Sequence, residues 1–164
     1  MHNDFIYIGL IVDSTSCEVY RPSRAFQEAK IYYDGKNKIY ALKKEVAVMA
    51  TAPYFALFSQ KAVIGSMHDY AIFKKTYRSY IPYLKKAPNE ILELPGDLNP
   101  NWAILGDKGY IGPDTSKPNL RKLCPKKHAQ LQTDKSYNKR ISQIRYLVEC
   151  FFGRLKQTWT LFRN

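Results

Sequence analysis

Ile6-Tyr7-Ile8-Gly9-Leu10-Ile11-Val12-Asp13-Ser14-Thr15 is the stretch whose reading decides the fold. Ile6 to Val12 alternates loosely and is rich in Ile and Val, as suits a strand buried in a sheet. Asp13-Ser14-Thr15 closes that run, and Ser16 to Tyr20 can extend it. The apolar run from Phe5 to Val12 is broken by Tyr7 and Gly9 and is too short to span a membrane. No basic region precedes it as in a secretion signal, so a soluble, intracellular protein is expected.

Downstream, Arg21 to Ala29 is polar, contains a proline and reads as a loop. Ile31-Tyr32-Tyr33 and Tyr40 to Met49 flank Asp34-Gly35-Lys36-Asn37-Lys38, and an Asp-Gly pair between extended runs signals a hairpin. Ala47 to Phe58 continues as strand, turn and strand, and Lys61 to Gly65 closes an antiparallel meander. The period then changes. Ile72, Phe73, Tyr77, Tyr80, Ile81 and Leu84 recur at helical spacing over Asp69 to Leu84, with Ser66 as the N-cap and Pro82 as the kink or end. Lys85 to Pro100 reads as a loop with one short turn. Trp102 to Leu105 is a short strand running into Gly106-Asp107-Lys108-Gly109-Tyr110. Ile111 to Tyr137 is a long basic connection, and Asn138 to Trp159 a long helix. The order gives an α/β fold in which an antiparallel meander joins a strand entered by a helical crossover. With 164 residues, 45% of them apolar, the chain is expected to be one domain with a real core.

The net charge of +12 is uneven. Residues 1–116 hold 14 basic and 12 acidic side chains, whereas residues 117–164 hold 12 basic and 2 acidic ones. Such a segment is the electrostatic footprint of a chain that lies along phosphates. The bland alternative is a solvated surface that aids solubility. Cys17, Cys124 and Cys150 have no paired spacing, which fits free thiols in a reducing compartment. Cys124 and His128 make half of a zinc site without a second half, so no zinc is expected.

Asp13 closes the first strand and Asp107 the strand after the crossover helix. If these strands are parallel neighbours, both carboxylates emerge at one sheet edge, where α/β folds place their sites. On the last helix, Ile144, Val148, Phe151 and Leu155 form an apolar stripe, while Arg145, Glu149, Phe152 and Lys156 form a second stripe bordering it. Glu149 is thereby expected to lean toward the two aspartates. Two Asp and one Glu beside a basic surface are oxygen ligands for Mg²⁺ or Mn²⁺. A pair of such ions, roughly 4 Å apart, suits activation of a water and stabilisation of the leaving oxygen of a phosphodiester. Taken singly, each residue has a structural reading: Asp13 and Asp107 as turn residues, Arg145–Glu149 as a surface pair worth about 0.2–0.5 kcal/mol.

Asp13-Ser14-Thr15, Gly106-Asp107-Lys108-Gly109-Tyr110 and Arg145-x-x-x-Glu149-x6-Lys156 together resemble the DDE transposases of the IS4/IS5 and PIF/Harbinger type. Arg21-Pro22, Tyr33-x-Gly35-Lys36, Gly65-Ser66-Met67-His68-Asp69 and Val148-Glu149-x-x-Phe152-Gly153-x-Leu155-Lys156 fit the eukaryotic branch, as does Ser142 where the bacterial motif has tyrosine. The resemblance runs from about residue 10 to 159. It implies an RNase H-like fold: a mixed sheet, antiparallel meander plus parallel strand, flanked by helices. It also implies a triad of Asp13, Asp107 and Glu149 holding Mg²⁺ or Mn²⁺ as two ions. The activity implied is hydrolysis of phosphodiesters at transposon ends, then joining of the 3′-hydroxyl to target DNA. Arg145 and Lys156 match phosphate-contacting positions, and Lys126, Lys127, Arg140 and Arg154 are further DNA-binding candidates in the same basic segment. Asp69 is a rival ligand or supporting residue. For a eukaryotic member, the nucleus is the implied location.

The chain starts almost at the first catalytic strand, so an N-terminal helix-turn-helix region is expected to be missing. A second copy or a separate DNA-binding protein would then be a partner. The alternative is a truncated or domesticated remnant that binds DNA or protein without cutting, and a ribonuclease acting on RNA or hybrid duplex is weaker still.

Overall fold

The computed structural model describes residues 5–23, 25–58, 61–93, 97–112 and 120–159. The strands are β1 (Ile8–Glu18), β2 (Tyr33–Asp34), β3 (Ile39–Met49), β4 (Ala56–Phe58), β5 (Val63–Ile64), β6 (Ala103–Leu105) and β7 (Arg121–Leu123). The helices are α1 (Phe26–Lys30), α2 (Asp69–Tyr80), α3 (Pro88–Glu93) and α4 (Gln132–Thr158). One seven-stranded mixed sheet has the order β2-β3-β1-β6-β7, with β4 and β5 also on β3.

β1 and β3 form its antiparallel spine, in register from Leu10 opposite Met49 to Glu18 opposite Ala41. Asp34 locks the turn before β3: its carboxylate accepts from Ser16 Oγ at 2.7 Å, Asn37 Nδ2 at 2.8 Å and the Lys36 amide at 3.0 Å. The outer edge of β3 is covered in tandem by β2, β5 and β4. On its other edge β1 pairs in parallel with β6, and β6 with β7. The β1–β6 register shifts between Ile8 and Leu10. Gly9 sits at that shift because a Cβ there would come within 2.6 Å of Trp102 Cβ.

The alternation of each strand divides the core. On one face Leu10, Val12, Ala47 and Ile104 pack against Phe73, Tyr77 and Tyr80 of α2 and against Tyr110. On the other, Ile8, Ile11, Val46, Val48 and Leu105 pack against Ile141 and Val148 of α4. The result is a helix–sheet–helix arrangement, an α/β fold of RNase H-like type.

Several details differ from the sequence expectation. Asp13 does not end its strand. β1 runs on to Glu18 because β3 continues to pair with it, whereas the parallel partner stops at Leu105 opposite Ile11. Asp13 thus stands just past the point where that edge of β1 opens. α1 lies in the expected 21–29 loop. The N-cap of α2 is His68 rather than Ser66, and the helix tightens into a 3-10 turn at Ile81–Leu84, where Pro82 occupies the first turn. The 111–137 connection holds strand β7 and the start of α4, and its residues 113–119 lie outside the described chain. Among the described residues, no helix is long and apolar enough to cross a membrane.

Ile104 is fully buried on the central parallel strand beneath α2. Ile104→Ala is expected to lower unfolding stability by about 2–5 kcal/mol, read as a drop in the urea midpoint without a change in slope.

Candidate active site

Side-chain parity places the acids. Ile11 faces α4, so Asp13, two residues on, faces the same way, and Ser14 faces α2. Leu105 faces α4, and Asp107 follows on that side before the chain enters a 3-10 turn at Lys108–Tyr110. Asp107 caps this turn, accepting from the Lys108 amide at 2.5 Å.

Arg145 of α4 closes the pair from above. Its Nη2 lies 3.2 Å from Asp13 Oδ2 and its Nη1 3.4 Å from Asp107 Oδ1. The Arg145 side chain is only 14% exposed, so this is a sheltered bridge rather than a surface ion pair. Burial raises the Asp13 carboxyl above its ordinary range. The Ser14 amide, which donates to Asp13 Oδ1 at 2.8 Å, and Arg145 oppose that shift, while Asp107 and Asp69 add to it.

The third aspartate comes from the other face. Asp69 is in the first turn of α2, where the helix N-terminus favours an anion. Its Oδ1 accepts from Ser14 Oγ at 2.5 Å. Its Oδ2 lies where a Cβ on Gly109 would come within 2.8 Å, so the turn after Asp107 wraps closely around it. Asp13, Asp69 and Asp107 thus share one end of the β1–β6 seam.

Glu149 lies one turn beyond Arg145 on the same flank of α4. It is exposed and borders a shallow groove with Lys139, Ser142, Gln143 and Tyr146. Charged groups acting on Asp13 are Arg145, Asp107 and Asp69; Glu149 is not among them. The structure thus joins Asp13, Asp107 and the rival Asp69, and does not bring Glu149 into contact with Asp13. Arg145, expected on DNA phosphate, is engaged by the aspartates. Lys126 bonds Asp134 at 2.5 Å and Arg140 lies over the Phe5 ring. Lys127 and Arg154 are exposed, and Lys156 is half-buried. The three cysteines are free and half-buried.

Sequence reading missed Glu45, which sits in β3 opposite Ser14 and is fully buried. Its Oε1 accepts from the hydroxyls of Thr76 and of Tyr80, the latter at 2.9 Å. Burial pushes its carboxyl up to about 7, against the lowering effect of the Thr76, Tyr80 and Tyr110 hydroxyls, and the nearby Asp69 charge pushes it further. The signal was present only as an acid in the run Lys43-Lys44-Glu45-Val46, which reads as solvent-facing.

The donor set fits a hard divalent cation. It offers carboxylate oxygens from two neighbouring strand segments, held close enough to share one guanidinium, with the Asp69 carboxylate near enough to act on Asp13.

The sheet is RNase H-like and carries acids beside its central parallel strands, under a basic helix. The family model described as DDE superfamily endonuclease matches residues 12–164, and the chain belongs to that family. Neither a curated protein nor a solved structure matches it.

Glu45 gives a pH signature. Its folded-state pKa is raised from 4.5 to about 7, so the stability it contributes is fully present below 4.5 and is lost as pH rises through about 7. Between those values, the stability of Glu45→Gln relative to the parent should rise by about 1.4 kcal/mol per pH unit. Urea unfolding of both proteins across that range checks it, and parallel pH curves would contradict it.

Proposed function

We propose that this chain is the catalytic domain of a transposase-type DNA endonuclease, with Asp13 and Asp107 as the core of its divalent-metal site. The carrying observation is that the two aspartates, far apart in sequence, meet on one guanidinium. Glu149 is the third carboxylate of this reading. It shares the α4 face of the sheet with the aspartate pair and stands one turn from Arg145. Asp69 supports the same site from the α2 face.

Bound Mg²⁺ or Mn²⁺, as one or two ions, would supply a nucleophilic water at neutral pH and charge stabilisation for a cleaved phosphodiester. The protein's own residues do the rest. Arg145 offsets the carboxylate charge and fixes the spacing of Asp13 and Asp107. The basic segment carrying Lys126, Lys127, Arg140, Arg154 and Lys156 favours a polyanion beside the site. Cutting at transposon ends and joining of the 3′-hydroxyl to target DNA complete the reading. DNA is the partner of this reading, with a second copy or a separate DNA-binding protein as a further one, and the nucleus is the place of action in a eukaryote.

The test is nicking of supercoiled plasmid by the purified chain in Mn²⁺ at low salt. Asp13→Asn, Asp107→Asn and Glu149→Gln should each lower the rate by at least ~100-fold, and Asp69→Asn by roughly 10-fold, as for a residue that orients ligands. If Asp69→Asn is crippling and Glu149→Gln is mild, the third ligand is Asp69. DNA binding that weakens with salt, without nicking by the parent in either metal, would instead support the non-catalytic remnant.

A further inference from the structure

Behind the aspartates lies a polar cluster inside an otherwise apolar core, and the metal reading does not use it. Glu45 and Tyr110 are both fully buried. Two hydroxyls, from Thr76 and Tyr80, already reach Glu45 Oε1. Glu45 Oε2 and the Tyr110 hydroxyl have no closed hydrogen bond, yet the Tyr110 hydroxyl lies beside both Glu45 and Ser14. Two buried polar atoms left open side by side in one protein core are costly unless they satisfy each other.

Proton directions decide how. Ser14 uses its hydrogen on Asp69, so its oxygen can only accept from other groups. Oε1 of Glu45 is occupied as an acceptor, which leaves Oε2 as the place for a proton. With Glu45 neutral, Oε2 would donate to Tyr110 and Tyr110 to Ser14, while Ser14 donates to Asp69. Every member would be satisfied in that order, and the row ends on a carboxylate. An ionised Glu45 would draw the Tyr110 hydrogen to itself and leave Ser14 without a donor. The groups facing Glu45 are Thr76, Tyr80 and Asp69 from α2, Tyr110 from the turn after β6, and Ser14 from β1.

The row touches each aspartate from behind. The Ser14 amide donates to Asp13, the Ser14 hydroxyl to Asp69, and the Tyr110 amide to the Asp107 carbonyl at 2.9 Å. We infer that Glu45 is a positioning residue of the metal site, acting through Tyr110 and Ser14 to fix how Asp13, Asp69 and Asp107 are spaced. The inference rests on the metal-site reading proposed above.

The experiment is Mn²⁺ titration by calorimetry on the full chain, paired with thermal melting in chelator. Tyr110→Phe and Glu45→Leu should each weaken Mn²⁺ binding by roughly 10- to 100-fold, the range for residues that orient ligands. Glu45→Gln has the shape and an amide donor to replace the Oε2 proton, so it should recover most of the affinity lost in Glu45→Leu. Tyr110→Phe guards against a folding defect, because it removes one oxygen and leaves the ring packing intact. If Tyr110→Phe and Glu45→Leu bind Mn²⁺ like the parent and only their melting temperatures change, Glu45 is structural and the inference is wrong. If the parent binds no Mn²⁺, the metal reading falls and the inference falls with it.

Discussion

Like charges held close together are the constraint around which this molecule is arranged. Asp13, Asp69 and Asp107 share one end of the β1–β6 seam, and burial makes the charge on Asp13 harder to bear. Each face of the sheet carries its own compensation. On the α4 face, Arg145 bridges two of the carboxylates. On the α2 face, the Ser14 hydroxyl and the N-terminal turn of α2 receive the third. Neither would be in place without the parallel pairing of β1 with β6, which ends two residues before Asp13 and lets the Asp107 turn fold against it.

The same pairing explains the division of labour between helices. α2 is a crossover between the antiparallel and parallel parts of the sheet, so it delivers its first turn to the edge where β6 ends. α4 packs across the opposite face through Ile141 and Val148, which fixes Arg145 over the carboxylates and leaves Glu149 on the solvent side of the same flank. The helix that supplies the neutralising cation thus also supplies the acid that the family resemblance assigns to the triad.

Much of this was legible in the sequence where one periodicity dominated. The alternation of Ile6 to Val12, the Asp34-Gly35 turn and the helical spacing from Asp69 to Leu84 each correspond to an element. β7 was not legible because Arg121-Lys122-Leu123 is a short, polar strand with no alternation to read. α4 begins earlier than its apolar stripe suggests because Gln132 to Lys135 is helical without apolar residues. The pairing of Asp13 with Asp107 followed from strand order. What could not be read locally was the partner of Arg145. Spacing alone offers Glu149 at i+4, whereas the fold brings in Asp13 from the other end of the chain. Glu45 was hidden for the same reason: its burial depends on α2 covering the sheet.

The central claim is that Asp13 and Asp107 form one divalent-cation site. A crystal structure of the chain soaked in Mn²⁺, with anomalous data collected near the manganese edge, tests it most directly. The account predicts an anomalous peak within coordination distance of both Asp13 and Asp107, about 2.0–2.1 Å from a carboxylate oxygen of each by analogy with Mg²⁺ sites. Saturating Mn²⁺ with no peak there would contradict it.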